Sequence, residues 1–293
     1  MAHSVYIYAL LATLCFSTAS IVFTEFANRT SVTWVNYFKA FVATVCCALT
    51  IQFFLGWQSV TTYAVVLFLV SGLIGLTIGD FFMVSAFQSI GPGRTLLLYG
   101  FQPLLVGVAS YYAFGQTISP YKLIAILFLI GCLVTFSYER FKQSGSWEFK
   151  GFLMALTFIV LDSIGLIMTR IGFDENPNLH PIQAHFIRCL GAVFGFWVQG
   201  VFKPFHFVKI FKTLTIKARW GIFFASFFGT FLSLSLYFKA VQTGHLASVT
   251  SVSITAPFFA TLIESIYHKR WPSKYLIFAL IQFVIGFYIL IQF

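Results

Sequence analysis

The stretch Gly75–Ala125, GLTIGDFFMVSAFQSIGPGRTLLLYGFQPLLVGVASYYAFGQTISPYKLIA, decides how the whole chain is read. Two apolar runs meet at the tight turn Gly91-Pro92-Gly93. Pro103 sits inside the second run, and a third run begins after Ser119-Pro120. The same layout returns over Gly229–Ala279 at a constant offset of 154 residues, the separation of Pro103 and Pro257. At that offset Gly75 falls on Gly229, Ala86 on Ala240, Gln88 on Gln242, Ser119 on Ser273 and Tyr121 on Tyr275. An ungapped register with a shared proline in an apolar run is the mark of an internal duplication.

Working outward, the composition says what kind of solvent surrounds these runs. The chain of 293 residues is 59% hydrophobic and only 9% charged. A soluble surface needs roughly a quarter of its residues charged, so this is a polytopic membrane protein. The runs are continuous over about twenty positions instead of alternating, which excludes a transmembrane β-barrel. The pattern predicts an all-α fold of ten spans: from about Ser4 to Phe26, Trp34 to Leu55, Tyr63 to Gln88, Arg94 to Phe114, Tyr121 to Tyr138, Gly151 to Arg170, Pro181 to Phe202, Trp220 to Gln242, Leu246 to Tyr267 and Tyr275 to Gln292. They divide into a first five-helix repeat (1–139), a polar link (140–150) and a second five-helix repeat (151–293). An odd number of spans per repeat inverts the second copy in the membrane. Inverted repeats are a common plan of secondary transporters, with substrate near the midplane between the halves.

The net charge of +10 reads as membrane orientation, not as a nucleic-acid surface. Arg29, Arg94, Arg140, Lys150, the Lys203–Arg219 loop and Lys269–Lys274 fall on one side of the ten spans. The other side holds Lys122, with Lys239 near a helix end. The positive-inside rule then places both termini outside, and the first run begins at the N-terminus without a basic leader, as a retained helix would. The five cysteines all lie in apolar runs, where they read as small packing residues.

Charges within spans are costly and are therefore candidates for function. Lys39 and Arg188 occupy similar places in the two repeats; Asp80 and Asp162 lie near the middle of the third and sixth spans. They can form two buried pairs that lock helices, or offer a cation to a substrate carboxylate or phosphate and an aspartate to a proton or an amine. Tyr99 and Gln102 precede Pro103, and Ser253 and Thr255 precede Pro257. Proline frees a carbonyl one turn upstream, so these side chains either line a cavity or bond back to their own helix. Glu264 is placed to belong to a gate. The sequence holds no HExxH, GxSxG or P-loop pattern, and no cofactor or metal site is expected.

Ala86-Phe87-Gln88 through Ser119 resembles the EamA-type repeat of the drug/metabolite transporter superfamily: an alanine-bearing helix end, a short turn, a helix with a proline, then a Gly-Glu turn, here Phe114-Gly115-Gln116. The opening Leu14-Cys15-Phe16-Ser17-Thr18 resembles that family's first-helix segment, without its tryptophan. The resemblance covers both halves. It implies a ten-helix alternating-access carrier with a central cavity, moving small metabolites such as amino acids, nucleotide sugars or phosphorylated sugars. Several members of that family have both termini in the cytoplasm, the reverse of what the charge bias gives here. The expectation is a secondary transporter of a small polar metabolite in a bacterial inner membrane, monomeric or homodimeric, coupled to a proton or other ion. A channel-like facilitator and an intramembrane lipid-modifying enzyme are the alternatives.

Overall fold

The computed structural model describes residues 2–90, 95, 98–144, 149–256, 258–259, 262–263 and 273–292. Pro257, Glu264 and the Gly91-Pro92-Gly93 turn lie outside the described residues. Those residues form helices and turns, with no strand among them. In chain order the helices are α1 (Ala2–Arg29), α2 (Val32–Thr50), α3 (Thr62–Ser71), α4 (Asp80–Ile90), α5 (Gln102–Phe114), α6 (Pro120–Ser144), α7 (Phe149–Glu175), α8 (Pro181–Phe202), α9 (Phe207–Thr213), α10 (Ile216–Ser226), α11 (Ser233–Thr243), α12 (Leu246–Ser253) and α13 (Lys274–Gln292). Three π segments interrupt or extend them: Ile51–Leu55 after α2, Gly72–Gly79 joining α3 to α4, and Phe227–Leu232 joining α10 to α11. Among the described residues, six continuous helices are long and apolar enough to cross a bilayer.

Local chemistry sets the helix ends. Ser31, Thr61 and Thr215 each accept a backbone N–H three residues on, from Trp34, Ala64 and Ala218. His180 caps α8 through Nδ1, with Pro181 following in the first turn. Gly115 ends α5 in the left-handed conformation, at φ 64°.

The offset of 154 reappears in the backbone. α3 starts at Thr62 and α10 at Ile216; α6 starts at Pro120 and α13 at Lys274. The π segment Gly72–Gly79 covers the register of Phe227–Leu232, and the turn at Gly100-Phe101 that of the turn at Ile254-Thr255. Helix packing has the same pattern. α2 packs on α8, α5 on α12 and α6 on α13, while α1 packs on α10–α11 as α7 packs on α3–α4. Exchanging the halves maps every one of these pairings onto another or onto itself.

Two expectations are refined. The helix break expected at Pro103 lies just upstream of it: the chain turns at Gly100-Phe101, and Pro103 stands in the first turn of α5, where its missing N–H has no helical partner to lose. The Lys203–Arg219 segment is not simply a loop. It contains α9, whose Phe207 and Phe211 face Trp34 and Phe38 with ring centroids 5.7 and 5.8 Å apart.

Candidate functional site

The site is built where α7 and α8 close on the first half. Gly72, Gly75 and Gly79 recur at helical spacing along the π segment and bring backbone against backbone. A Cβ on Gly72 would collide with the Arg188 carbonyl, and one on Gly191 with the Leu69 carbonyl. One built on Gly75 would stand 3.1 Å from Arg188 Nη2 and 3.8 Å from Asp162 Oδ1. The missing side chain at Gly75 is therefore what lets both charged groups come this close to the helix.

Arg188 is 3% exposed. Its Nη1 donates to Thr169 Oγ1 at 2.6 Å, Nη2 reaches the Ser71 carbonyl only at 3.5 Å, and Nε has no partner. The guanidinium lies 4.8 Å over the Phe238 ring. Opposite, Asp162 Oδ2 accepts from Gln102 Nε2 at 2.6 Å and from the Tyr99 hydroxyl at 3.2 Å. Gln102 Oε1 is buried without a partner. Asp162 and Arg188 feel each other's charge but make no ion pair. A buried guanidinium and a half-buried carboxylate this near would normally close into contact, because an isolated charge in low dielectric is expensive. Held apart, they present a positive and a negative end to whatever fits between.

Lys39 and Asp80 behave differently. Lys39 is 7% exposed, donates to Asp80 Oδ2 at 2.8 Å and lies 5.3 Å from the Phe23 ring. It does not snorkel to an interface. Asp80 is close enough to act electrostatically on both Asp162 and Arg188, so Lys39, Asp80, Arg188 and Asp162 form one balanced set of four charges.

Ser253 and Thr255 bond back to their own helix, to Val249 and Val252 carbonyls. Ser253 also reaches Tyr237. Thr255 is fully buried and contributes to the turn, not to the charged set. Ser17 donates to the Ala256 carbonyl at 2.6 Å, tying the first helix to the same break. Thr169, Ser71 and Phe238 complete the Arg188 environment and were not among the expected residues. Thr169 lies seven residues after Asp162 on α7, the spacing of one helical face, which is the signal that could have found it.

The structure has apolar clefts of about 360 and 270 Å³ on its flanks, and neither includes Asp162 or Arg188. At one end of the bundle, side-chain amides tie the connecting segments together. Gln58 N donates to Gln183 Oε1 at 2.9 Å, Gln183 Nε2 to the Gln58 carbonyl at 2.7 Å, and His180 N to Gln58 Oε1 at 2.7 Å. Gln242 Nε2 donates to the Pro177 and Leu179 carbonyls, Arg170 Nη1 to those of Val241 and Gly244, and Leu246 N to Gln116 Oε1. These bonds join loops from both halves.

Fold and composition define an integral, multi-pass membrane protein with all-helical architecture. The sequence profile of the EamA-like transporter family matches it twice, over residues 3–138 and 149–292. The chain belongs to the EamA-like transporter family. A chloroplastic WAT1-related protein of Arabidopsis thaliana is 22% identical over 236 residues, which is 78% of this chain and 53% of that protein. The chain spans about half the length of that curated relative. A solved crystal structure superposes with a TM-score of 0.77 over 98% of this chain and 96% of the other, at 17% identity, and so shares the fold.

Proposed function

We propose that the protein is a secondary transporter of a small polar metabolite that carries both an anionic and a cationic group, an amino acid or a related compound, working by alternating access. The observation that carries this is the Asp162–Arg188 pair, held apart in the membrane interior across Gly75. Arg188 receives the anionic group on its unpartnered Nε and loosely bonded Nη2; Asp162 receives the cationic group, oriented by Tyr99 and Gln102. Between substrates, a proton on Asp162 can take the place of the cation, which would couple transport to a proton gradient.

The protein is read as ten spans in two inverted five-helix repeats, 1–139 and 151–293, joined by the polar link 140–150. The shared register of helix starts, π segments and turns supports this, as do the exchangeable pairings and the two family matches. π segments at equivalent places give each half a helix that can repack locally. The amide-sealed end is the closed gate of the state seen here, and a shut end does not suit an open channel. That end carries Lys122 and Lys239, whereas Lys203–Arg219 lies at the other, so the gate faces away from the cytoplasm with both termini outside, in a bacterial inner membrane.

The test is uptake of candidate metabolites into proteoliposomes. Saturable uptake by wild type, lost in folded Arg188→Gln and Asp162→Asn variants, is the expected result. Equal uptake by those variants would contradict the site. Orientation is tested by thiol labelling at Lys212→Cys from outside intact cells, where protection is expected and labelling would reverse the topology.

A further inference from the structure

A second site lies on the flank of the bundle, away from the charged set. The cleft of about 270 Å³ between α2, α9 and α10 is lined by Phe38, Phe41, Val42, Val45, Phe211 and Phe223, among others. It opens sideways toward the surrounding hydrocarbon, where Phe41 and Val45 are exposed. At its polar end the Arg219 guanidinium lies 5.1 Å over the Phe211 ring. Arg219 Nη2 donates to the Lys212 carbonyl at 3.0 Å, and Nε is buried without a partner. Lys203, Lys209, Lys212, Lys217 and Arg219 crowd this segment, and it contains no Asp or Glu. Trp220 is exposed beside Arg219 and stacks on Phe224, as an aromatic ring at headgroup depth would.

From this juxtaposition we infer that the cleft binds one anionic phospholipid, an acyl chain lying along the phenylalanines and the phosphate held by Arg219 and Lys212. The apolar walls call for hydrocarbon, and the unbalanced cations at one end call for a negative headgroup. A neutral lipid would fill the walls and leave the cations of this segment without a counter-charge. A soluble phosphate would pair the cations and leave the walls bare. α9 is then a clamp that lipid holds against α2.

The full chain is reconstituted in nanodiscs of phosphatidylcholine, alone or mixed with phosphatidylglycerol of the same acyl chains. Thermal unfolding is followed, and the lipid retained after purification is weighed by native mass spectrometry. Expected are a rise in Tm with phosphatidylglycerol and its selective retention, both lost in an Arg219→Gln/Lys212→Gln variant and both kept in a Lys150→Gln/Lys274→Gln control. Val45→Trp, which fills the cleft and keeps every charge, is expected to lose retention too. The proposal is overturned if the first variant keeps the shift, if the control loses as much, if phosphatidylcholine is retained equally, or if soluble glycerol 3-phosphate gives the same stabilisation.

Discussion

Asp162 Oδ1 and Arg188 Nη2 both approach the place a side chain on Gly75 would take, lie within about 7 Å of each other and make no ion pair. Gly75→Ala puts a methyl group into that space. The atom it meets is the end of a flexible guanidinium, so the protein folds while the site narrows. Transport is expected to fall by about tenfold or more, some 1.4 kcal/mol of binding, with an unchanged melting curve. Wild-type uptake by this variant would show that solute does not pass between the two charges.

Lys39 and Asp80 are expected to respond as a closed pair. Asp80→Asn leaves a buried ammonium unpaired, a loss of about 3–5 kcal/mol. Adding Lys39→Met removes the orphaned charge and recovers most of the stability. Thermal unfolding in detergent reads both, and a single variant as stable as wild type would mean that water reaches Lys39.

The sealed end yields a conformational prediction. With the native cysteines replaced, Gln58→Cys/Gln183→Cys is expected to cross-link with a short bifunctional reagent and to stop transport. A cleavable linker then restores it on reduction. Undiminished transport by the cross-linked protein would show that this end does not open during the cycle.

Backbone contact at the glycine stripe is expected to dominate stability. Gly72→Ala and Gly191→Ala force a methyl group onto a carbonyl and cost about 1–3 kcal/mol or more. Gly221→Ala, in α10 with open space around it, costs nothing and gains up to about 1 kcal/mol of helix propensity. Melting temperatures of the three variants check the order.

The repeat was legible because glycine, proline and alanine keep their register even where the rest has diverged, and the intramembrane charges stood out because each is costly in hydrocarbon. The π segments were not legible. Which turn of a helix widens depends on what packs beside it, here Arg188 and Asp162 from the other half. The amide-bonded end was hidden for a different reason. Gln58 in its turn, and Gln183 and Gln242 at their helix ends, look like ordinary solvated residues until the chain segments that carry them are brought together. α9 was obscured by its charges: Phe207 and Phe211 have the i, i+4 spacing of a buried face, but Lys209 and Lys212 are interleaved with them.

The most direct test of the account is a ligand screen by thermal shift on the purified protein, because a solute that binds the folded state raises its Tm. The panel holds amino acids, related zwitterions and matched compounds lacking one of the two charged groups. A doubly charged solute is expected to raise the Tm of wild type, removal of either of its groups to abolish the shift, and Asp162→Asn and Arg188→Gln to show no response. A solute that stabilises both variants as much as wild type would place the binding site elsewhere and contradict the account.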